Sequence, residues 1–332
     1  LFVSKISEFK YFPSVNFLTF YLKKKLKVVL FESLAEFSQV VTTLEKCRSL
    51  EYEKGNLLLS SFLWSNPLLI DPLPSLDFIS GVNINNFYYF LGDSSLIQID
   101  LDKSAVKITE SPISSRVGYS MSLINKKIYI FGGKNEKLHE YYNDTWEFEI
   151  DTNHWTQLTT SSNPTPRCEH SSVISDNKLF VFGGRYKKHY YNHLFVLDLN
   201  TFEWSDITTK QSPNARSLHS ACLYKDQMII YGGKSSKGGL NDIYIYNILN
   251  NSWKALYVNL SIIPKRYGHR SVIINDYLFV IGGIKSDCNV SEKPLVLKCN
   301  AGYQVVEYES AGNNPLLLSS FGLCVDSKRN ML

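Results

Sequence analysis

Apolar and polar positions alternate along most of the chain, in short runs separated by residues that favour turns. In the segment 167–204 this alternation predicts four strands, at Ser171–Ser175, Lys178–Phe182, 193–199 and a short one at Trp204. The pair Asp176-Asn177 between the first two tolerates the positive φ angles that a tight hairpin needs. The pattern therefore predicts a small antiparallel sheet.

This unit recurs with constant internal spacing. In four copies an arginine is followed sixteen residues later by the first glycine of a pair. The arginines are Arg116, Arg167, Arg216 and Arg266, and the glycine pairs are Gly132-Gly133, Gly183-Gly184, Gly232-Gly233 and Gly282-Gly283. A period near 50 residues marks a repeat architecture. A four-stranded sheet cannot bury both of its faces alone, so we expect radial stacking into a β-propeller, which is an all-β fold.

The order Arg-x-x-His-Ser, Phe-Gly-Gly, Asn-Asp and Trp within each unit resembles the kelch repeat family. The best matches are Arg167/His170/Ser171, Arg216/His219/Ser220 and Arg266/His269. The resemblance implies a kelch β-propeller.

We expect six blades, the last of them truncated. A degenerate first repeat, in which Leu91-Gly92 takes the place of the glycine pair, precedes regular repeats at about 116–160, 167–210, 216–258 and 266–308. Another repeat begins at Pro315, and its glycine pair would fall at positions 334 and 335, beyond Leu332.

Three regions are expected along the chain. Residues 1–56 are interpreted as the helical tail of an upstream domain, because Leu30, Leu34, Phe37 and Val41 follow a helical spacing. Residues 57–74, which are rich in proline, are interpreted as a linker, and residues 75–332 as the propeller. The first residue is Leu, so we expect the chain to be a piece of a longer protein.

Composition narrows the class of protein only slightly. The net charge is +4, which is weak evidence for an acidic partner. The six cysteines show no metal-ligand spacing, and this favours reduced thiols in a cytoplasmic protein without a metal. The longest uncharged apolar run, 57–70, is too short for a membrane helix. No nucleophile–base motif is present, so we expect no catalytic residue here and a function in binding.

The repeat geometry predicts a candidate binding site at one face of the propeller, which we call the mouth face. The four repeat arginines and the loops after the glycine pairs should lie there. The candidate residues are Arg116, Arg167, Arg216, Arg266, Arg185, Lys187, Lys188, Tyr190, Tyr191 and Tyr141. Cations interleaved with aromatic residues suit phosphates and stacked bases. The alternatives are that the arginines only link neighbouring blades through backbone carbonyls and that the loops are solvated surface. The repeat histidines are interpreted as core residues.

A narrower resemblance comes from the residues outside the regular repeats. The N-terminal part of the chain resembles the junction before the propeller in the tRNA wybutosine-synthesizing protein 4 group. The residues that carry this resemblance are Phe17-Leu18, the lysines at 23–25, the acidic-aromatic stretch 32–37 and Cys47. In that group a leucine-carboxyl-methyltransferase-type domain is fused to a kelch propeller. The acidic run here is broken by Ala35, Ser38 and Gln39, which departs from the group's pattern.

This resemblance implies S-adenosylmethionine-dependent methylation and methoxycarbonylation of a carboxylate on the hypermodified guanosine of phenylalanine tRNA. The cofactor-binding part would lie upstream of Leu1, so no cofactor is expected in this chain. The propeller would then act as a binding module for the tRNA. The competing hypothesis is a cytoplasmic kelch scaffold that binds a protein partner through an acidic peptide.

Overall fold

The computed structural model describes residues 80–85, 87–100, 105–257, 263–285 and 294–306, together with the backbone of short strands at 19–20, 61–65 and 309–312. The helix predicted in residues 1–56 lies outside the described residues, of which that segment contains only the strand Thr19–Phe20. None of the described helices is long and apolar enough to cross a membrane.

Five antiparallel four-stranded sheets, numbered here as blades 1 to 5, make up the described propeller. In each blade the strands lie in chain order. Blade 1 consists of Gly81–Ile84, Phe87–Leu91, Ser95–Asp100 and Ala105–Glu110, and blade 2 of Ser120–Ile124, Lys127–Phe131, Thr145–Glu149 and His154–Gln157. Blade 3 consists of Ser171–Ser175, Lys178–Phe182, Leu194–Asp198 and Trp204–Asp206. Blade 4 consists of Ser220–Tyr224, Gln227–Ser235, Gly238–Asn247 and Ser252–Leu256. Blade 5 consists of Arg270–Ile274, Tyr277–Ile281, Leu295–Lys298 and Gln304–Val305.

The all-β kelch-type fold is confirmed, but the described residues form five blades and not the six that we predicted. The sixth blade was inferred from spacing after Pro315, which lies outside the described residues. The strand that follows blade 5, Glu309–Gly312, pairs in parallel with Ser61–Ser65 instead of opening a new antiparallel sheet. The described residues contain no α-helix, only the 3-10 turn Cys299–Ala301.

The core lies between the blades. In the second strand of blade 3, Leu179 and Val181 pack against blade 2, whereas Phe180 and Phe182 pack against blade 4. This alternation follows from the two-residue period of a strand. Blades 3 and 4 are covered on both faces by neighbouring blades. Their second strands are therefore continuous apolar runs.

The repeated aromatic and histidine residues connect each blade to the preceding one. Trp204 of blade 3 packs on Phe131 of blade 2, with ring centroids 4.9 Å apart, and Trp253 of blade 4 packs on Phe182 at 5.1 Å. His170 and His219 meet the same two phenylalanines edge-on. The residues that define the sequence repeat are therefore those that hold the blades together.

In blades 2 to 4, the first glycine of the pair lies against the next repeat. A Cβ atom on Gly183 would stand 2.8 Å from the carbonyl oxygen of Arg216, which belongs to the following repeat. The amide of the second glycine, Gly184, donates a hydrogen bond to that same oxygen at 2.9 Å. A side chain at this glycine would therefore collide with the neighbouring blade.

Candidate binding face at the mouth of the propeller

The repeat arginines lie inside their own blades. Their exposed fractions are 5% for Arg116, 0% for Arg167, 0% for Arg216 and 2% for Arg266. Each donates from Nη1 to the carbonyl oxygen of the first glycine of its own pair, sixteen residues later. The link to the neighbouring blade is made by the arginine backbone carbonyl and not by the guanidinium. The guanidinium groups of these four candidates are therefore buried beneath the mouth face and are not exposed on it.

An aspartate completes two of these arginine sites. Asp242 accepts two hydrogen bonds from Arg216, at 2.6 and 2.9 Å, and Asp144 accepts two from Arg116, at 2.6 and 3.1 Å. Both carboxylates come from the Asn-Asp motif that follows the glycine pair. A buried guanidinium with a bidentate carboxylate is a favourable charge-assisted pair.

Blade 3 lacks this aspartate, because His193 stands at the equivalent position. Arg167 therefore has no described carboxylate within ion-pair distance, and it donates to the backbone and hydroxyl oxygens of Thr165 instead. Burial lowers the pKa of Arg167 to about 10. Burial, and then the nearby charge of Arg167, lower the pKa of His193, whose Nδ1 has no hydrogen-bond partner among the described atoms.

His193→Asp should raise the free energy of unfolding by about 2 kcal/mol, because the new carboxylate would pair with the buried guanidinium of Arg167. Urea denaturation at pH 7.5 measures the change. His189→Asp, on an exposed loop of the same blade, is the control and should change stability by less than about 0.5 kcal/mol. Equal effects of the two substitutions would contradict this account of Arg167.

Short hairpins project from the mouth face after each glycine pair of blades 2 to 4. They pair Lys134–Asn135 with Glu140–Tyr141 in blade 2 and Arg185–Tyr186 with His189–Tyr190 in blade 3. In blade 4 the two central strands themselves extend into the hairpin, with Ser235 opposite Gly238. In each of these blades, the residue after the repeat arginine forms an antiparallel bridge with the first residue of the hairpin, as Cys168 does with Arg185. The loops thus begin beside the arginines.

The hairpins of blades 2 and 3 meet through their tyrosines. The rings of Tyr141 and Tyr186 lie 4.8 Å apart, and Lys187 Nζ lies 5.3 Å from the centre of the Tyr186 ring. Lys187 and Lys188 are exposed, and no described carboxylate lies within ion-pair distance of either. We call Tyr141, Tyr186, Lys187 and Lys188 the basic-aromatic cluster.

The remaining candidates from the sequence are less accessible. Arg185 is half-buried and makes a bidentate ion pair with Glu169, whose carboxylate also accepts a hydrogen bond from Ser217 at 2.9 Å. Tyr190 is half-buried, and Tyr191 is buried beneath the mouth face, with its ring 4.7 Å from the guanidinium of Arg167. The structure therefore brings Tyr141, Lys187 and Lys188 together at the surface.

Three residues near the centre were not among the sequence candidates. A cavity of about 170 Å³, which we call the axial cavity, is lined by the inner strands of all five blades, and Tyr119, Glu169 and Arg270 contribute to its lining. Arg270 carries a sequence signal in retrospect, because the other regular repeats have serine at its position, at Ser120, Ser171 and Ser220. Tyr119 carries a signal of the same kind, because it stands at the place where the other regular repeats have histidine.

Two of the repeat histidines, His170 and His219, also line this cavity. Burial lowers the pKa of His170 to about 3, with a further contribution from the charge of Arg167. Burial also lowers the pKa of His219 and of His269 well below the ordinary value. All three are therefore neutral at physiological pH. Within the described part of the chain, no group of three or more His, Cys, Asp and Glu residues could hold a metal ion.

Sheet topology, the repeat spacing and the contacts between blades define a kelch-type β-propeller. The family model described as the KLHDC2/KLHL20/DRC7 Kelch-repeats domain matches residues 81–283, which is more than half of the chain. The chain belongs to this kelch-repeat family.

Partial similarity connects the chain to several curated proteins. The tRNA wybutosine-synthesizing protein 2/3/4 of Oryza sativa subsp. japonica is 35% identical over 80 residues, which are 24% of this chain and 8% of that protein. Tip elongation aberrant protein 3 of Schizosaccharomyces pombe is 29% identical over 152 residues, 40% of this chain and 13% of that protein. Kelch domain-containing protein 3 of Rattus norvegicus is 32% identical over 83 residues, 25% of this chain and 22% of that protein.

The chain thus matches less than a quarter of the length of each of these relatives. The two resemblances drawn from the sequence, to the kelch repeat and to the wybutosine-synthesizing group, are both supported by these matches.

Proposed function

We propose that this chain is the kelch-propeller region of a tRNA-modifying enzyme similar to the wybutosine-synthesizing proteins, and that its mouth face binds the tRNA. The observation that carries the proposal is the basic-aromatic cluster. Lys187 and Lys188 form the exposed turn of the blade 3 hairpin, directly after Tyr186, whose ring lies 4.8 Å from that of Tyr141 in the blade 2 hairpin. A single-stranded RNA loop offers phosphates to the cations and base faces to the rings.

Phenylalanine tRNA is the RNA that the resemblance implies, and its anticodon loop is a single-stranded segment of the required kind. The intact enzyme would carry out the S-adenosylmethionine-dependent methylation of a carboxylate on the modified guanosine. The glycine pairs of blades 2 and 3 do not fit this cofactor, because their amides already donate to backbone carbonyls. In blade 3, Gly183 donates to His193 of its own blade and Gly184 donates to Arg216 of the next repeat. In this proposal the propeller binds and orients the tRNA and takes no chemical step.

The double substitution Lys187→Glu and Lys188→Glu should weaken binding of phenylalanine tRNA at least tenfold at low salt, because two phosphate contacts are replaced by repulsion. Fluorescence anisotropy with labelled tRNA measures the affinity. The slope of log affinity against log salt should fall in magnitude by about 1 to 2, since each lost phosphate contact contributes somewhat less than one.

The matched control reverses Lys178 and Lys225, two exposed lysines at the turns between the first and second strands of blades 3 and 4. These turns lie at the opposite face of the propeller, so this variant should retain tRNA affinity within twofold. Binding that is equally strong in both double variants and the wild type would overturn the proposal.

The competing proposal is a protein-interaction scaffold that takes an acidic peptide at the same cluster. Kelch domain-containing protein 3 matches the chain at a similar identity to the wybutosine-synthesizing proteins, which favours neither partner. Replacement of Tyr186 by leucine separates the two. Loss of the aromatic face should weaken the stacking of RNA bases, whereas an acidic peptide paired to Lys187 and Lys188 should bind this variant with little change.

A further inference from the structure

The repeat arginine of blade 3 lacks the anion that its counterparts have. The arginines of blades 2 and 4 each make a bidentate ion pair with an aspartate of their own repeat. Arg167 is fully buried, but His193 stands at the place of that aspartate. Of the five N–H groups of its guanidinium, Arg167 uses three on described acceptors, which are the carbonyl oxygens of Thr165 and Gly183 and the hydroxyl of Thr165.

The charge of Arg167 is only weakly balanced by its surroundings. Asp206 acts on this charge from beyond ion-pair distance, and its carboxylate accepts a hydrogen bond from the amide of Thr208 instead. The rings of Tyr191 and Phe195 lie 4.7 and 5.0 Å from the guanidinium carbon. A buried charge without a paired counter-ion is costly, so an anion placed beside Arg167 would be stabilising.

Thr165 places a hydroxyl where such an anion could be attached. Its Oγ1 accepts a hydrogen bond from Arg167 Nη2 at 3.2 Å, although the residue as a whole is exposed. It lies in the segment 162–167, which belongs to no strand and connects blade 2 to blade 3. Exposed segments of this kind are the parts of a fold that a modifying enzyme can reach. A group bonded to Oγ1 would therefore be accessible when it is added and close to Arg167 afterwards.

The residue after Thr165 is Pro166, and Thr-Pro is the sequence that proline-directed protein kinases recognise. Proline holds the residue before it in an extended conformation, which is the form in which a kinase binds its substrate. Ser114 and Asn214 occupy the equivalent positions in blades 2 and 4, two residues before the repeat arginine, and neither precedes a proline. The hydroxyl, the proline and the unpaired arginine therefore coincide in blade 3.

The two Ser-Pro pairs of the sequence lack this combination. They are Ser111-Pro112 and Ser212-Pro213. Both serines are half-buried, and their hydroxyl oxygens accept hydrogen bonds from the backbone amides of Ile113 and Thr209, each at 3.2 Å. Neither hydroxyl makes a described contact with a guanidinium.

We propose that Thr165 is a phosphorylation site for a proline-directed protein kinase, and that its phosphate pairs with Arg167 in place of the missing aspartate. Thr165 Oγ1 forms a bond to the γ-phosphorus of ATP, and the bond from that phosphorus to the β–γ bridging oxygen breaks. ADP leaves, and the hydroxyl proton passes to a base of the kinase. The phosphate carries a charge of about −1.5 to −2 and three acceptor oxygens, so it can replace both oxygens of a carboxylate.

The expected consequence is a firmer junction between blades 2 and 3. The backbone of Arg167 already connects the two, because its amide donates to Tyr142 and its carbonyl oxygen accepts from Gly133. A phosphate that holds the guanidinium would fix the segment that carries these bonds. The proposal concerns this junction and does not depend on the proposed tRNA function.

The first measurement asks whether the hydroxyl is a kinase substrate. The chain is incubated with MgATP and a mitogen-activated protein kinase, which is proline-directed, and mass spectrometry of its peptides locates the phosphate. Thr165 should be modified faster than Ser111 and Ser212 by about tenfold or more, and Pro166→Ala should slow modification of Thr165 by a similar factor. Modification of the two serines with none at Thr165 would overturn the proposal.

The second measurement asks whether the phosphate meets Arg167. Phosphothreonine is incorporated at position 165 during translation, or added by the kinase to the folded chain if that product does not fold. The thermal midpoint should rise by about 2 to 4 °C relative to the unmodified chain. Phosphorus NMR should show the second pKa of the phosphate lowered from its ordinary value of about 6, because the nearby guanidinium favours the dianion.

His193→Asp is the matched control, because it gives Arg167 the carboxylate that the other blades have. In this variant the phosphate meets a guanidinium that is already paired, so it should raise the midpoint by less than about 1 °C. Phosphoserine at Ser114, beside Arg116 and its partner Asp144, should likewise give no gain. An unchanged midpoint and second pKa in the wild type, or an equal gain in the His193→Asp variant, would overturn the pairing with Arg167.

Discussion

Gly233→Ala should destabilise the propeller by about 4 kcal/mol, whereas Gly238→Ala should cost about 1 kcal/mol. Both glycines have a positive φ, +102° and +115° respectively, so both substitutions strain the backbone. Only the first also creates a collision among the described atoms, because its new Cβ would lie 2.7 Å from the Cβ of His219 and 2.8 Å from the carbonyl oxygen of Ser217. Overpacking of this kind adds about 1 to 3 kcal/mol.

Urea denaturation of the two variants measures the difference. Gly238 is the control, since no described atom lies within 4 Å of the position where its Cβ would stand. Equal losses of stability would show that the conformational requirement alone explains the repeated glycine. A much larger loss for Gly233→Ala would show that the second glycine is needed because the blade's own histidine packs against it.

Much of the fold could be predicted because the repeat residues act locally or between neighbouring blades. The continuous apolar run within Lys178–Phe182 is typical of a strand covered on both faces, and the structure places blades 2 and 4 against it. The number of blades could not be predicted in the same way. Spacing shows where a unit begins, but the pairing of a strand such as Glu309–Gly312 depends on a partner distant in the chain.

The candidate site was predictable only in part for a related reason. The composition of the blade 3 hairpin identifies Lys187 and Lys188, which stand at the surface because a hairpin tip is exposed in any blade. The sequence cannot show that Arg216 faces Asp242 within its blade, since burial depends on packing and not on residue type. Arg270 is found only when the repeats are compared position by position and its serine counterparts are seen to face the axis.

Acidification should destabilise the propeller steeply below pH 6.5, by up to about 4 kcal/mol for each pH unit. His170, His219 and His269 are buried and neutral, and the pKa of each is lowered in the folded state, to about 3 for His170. The unfolded chain binds a proton at each histidine near pH 6.5 and the folded chain does not. Each therefore contributes about 1.4 kcal/mol per pH unit as the pH falls from 6.5 towards the folded pKa, and stability is fully present above pH 6.5.

Thermal and urea denaturation at pH 7.5, 6.5 and 5.5 test this expectation, and His219→Gln identifies its origin. Glutamine keeps a donor for Ser171 but does not titrate, so the variant should be less stable at pH 7.5 and should lose about a third of the pH slope. His189→Gln, at an exposed hairpin position, should leave the slope unchanged. Stability that stays level between pH 7.5 and 5.5 would mean that the histidines accept protons within the fold. Because a domain of this kind is stable by only about 5 to 15 kcal/mol, the expected slope is large enough to unfold the propeller at mildly acidic pH.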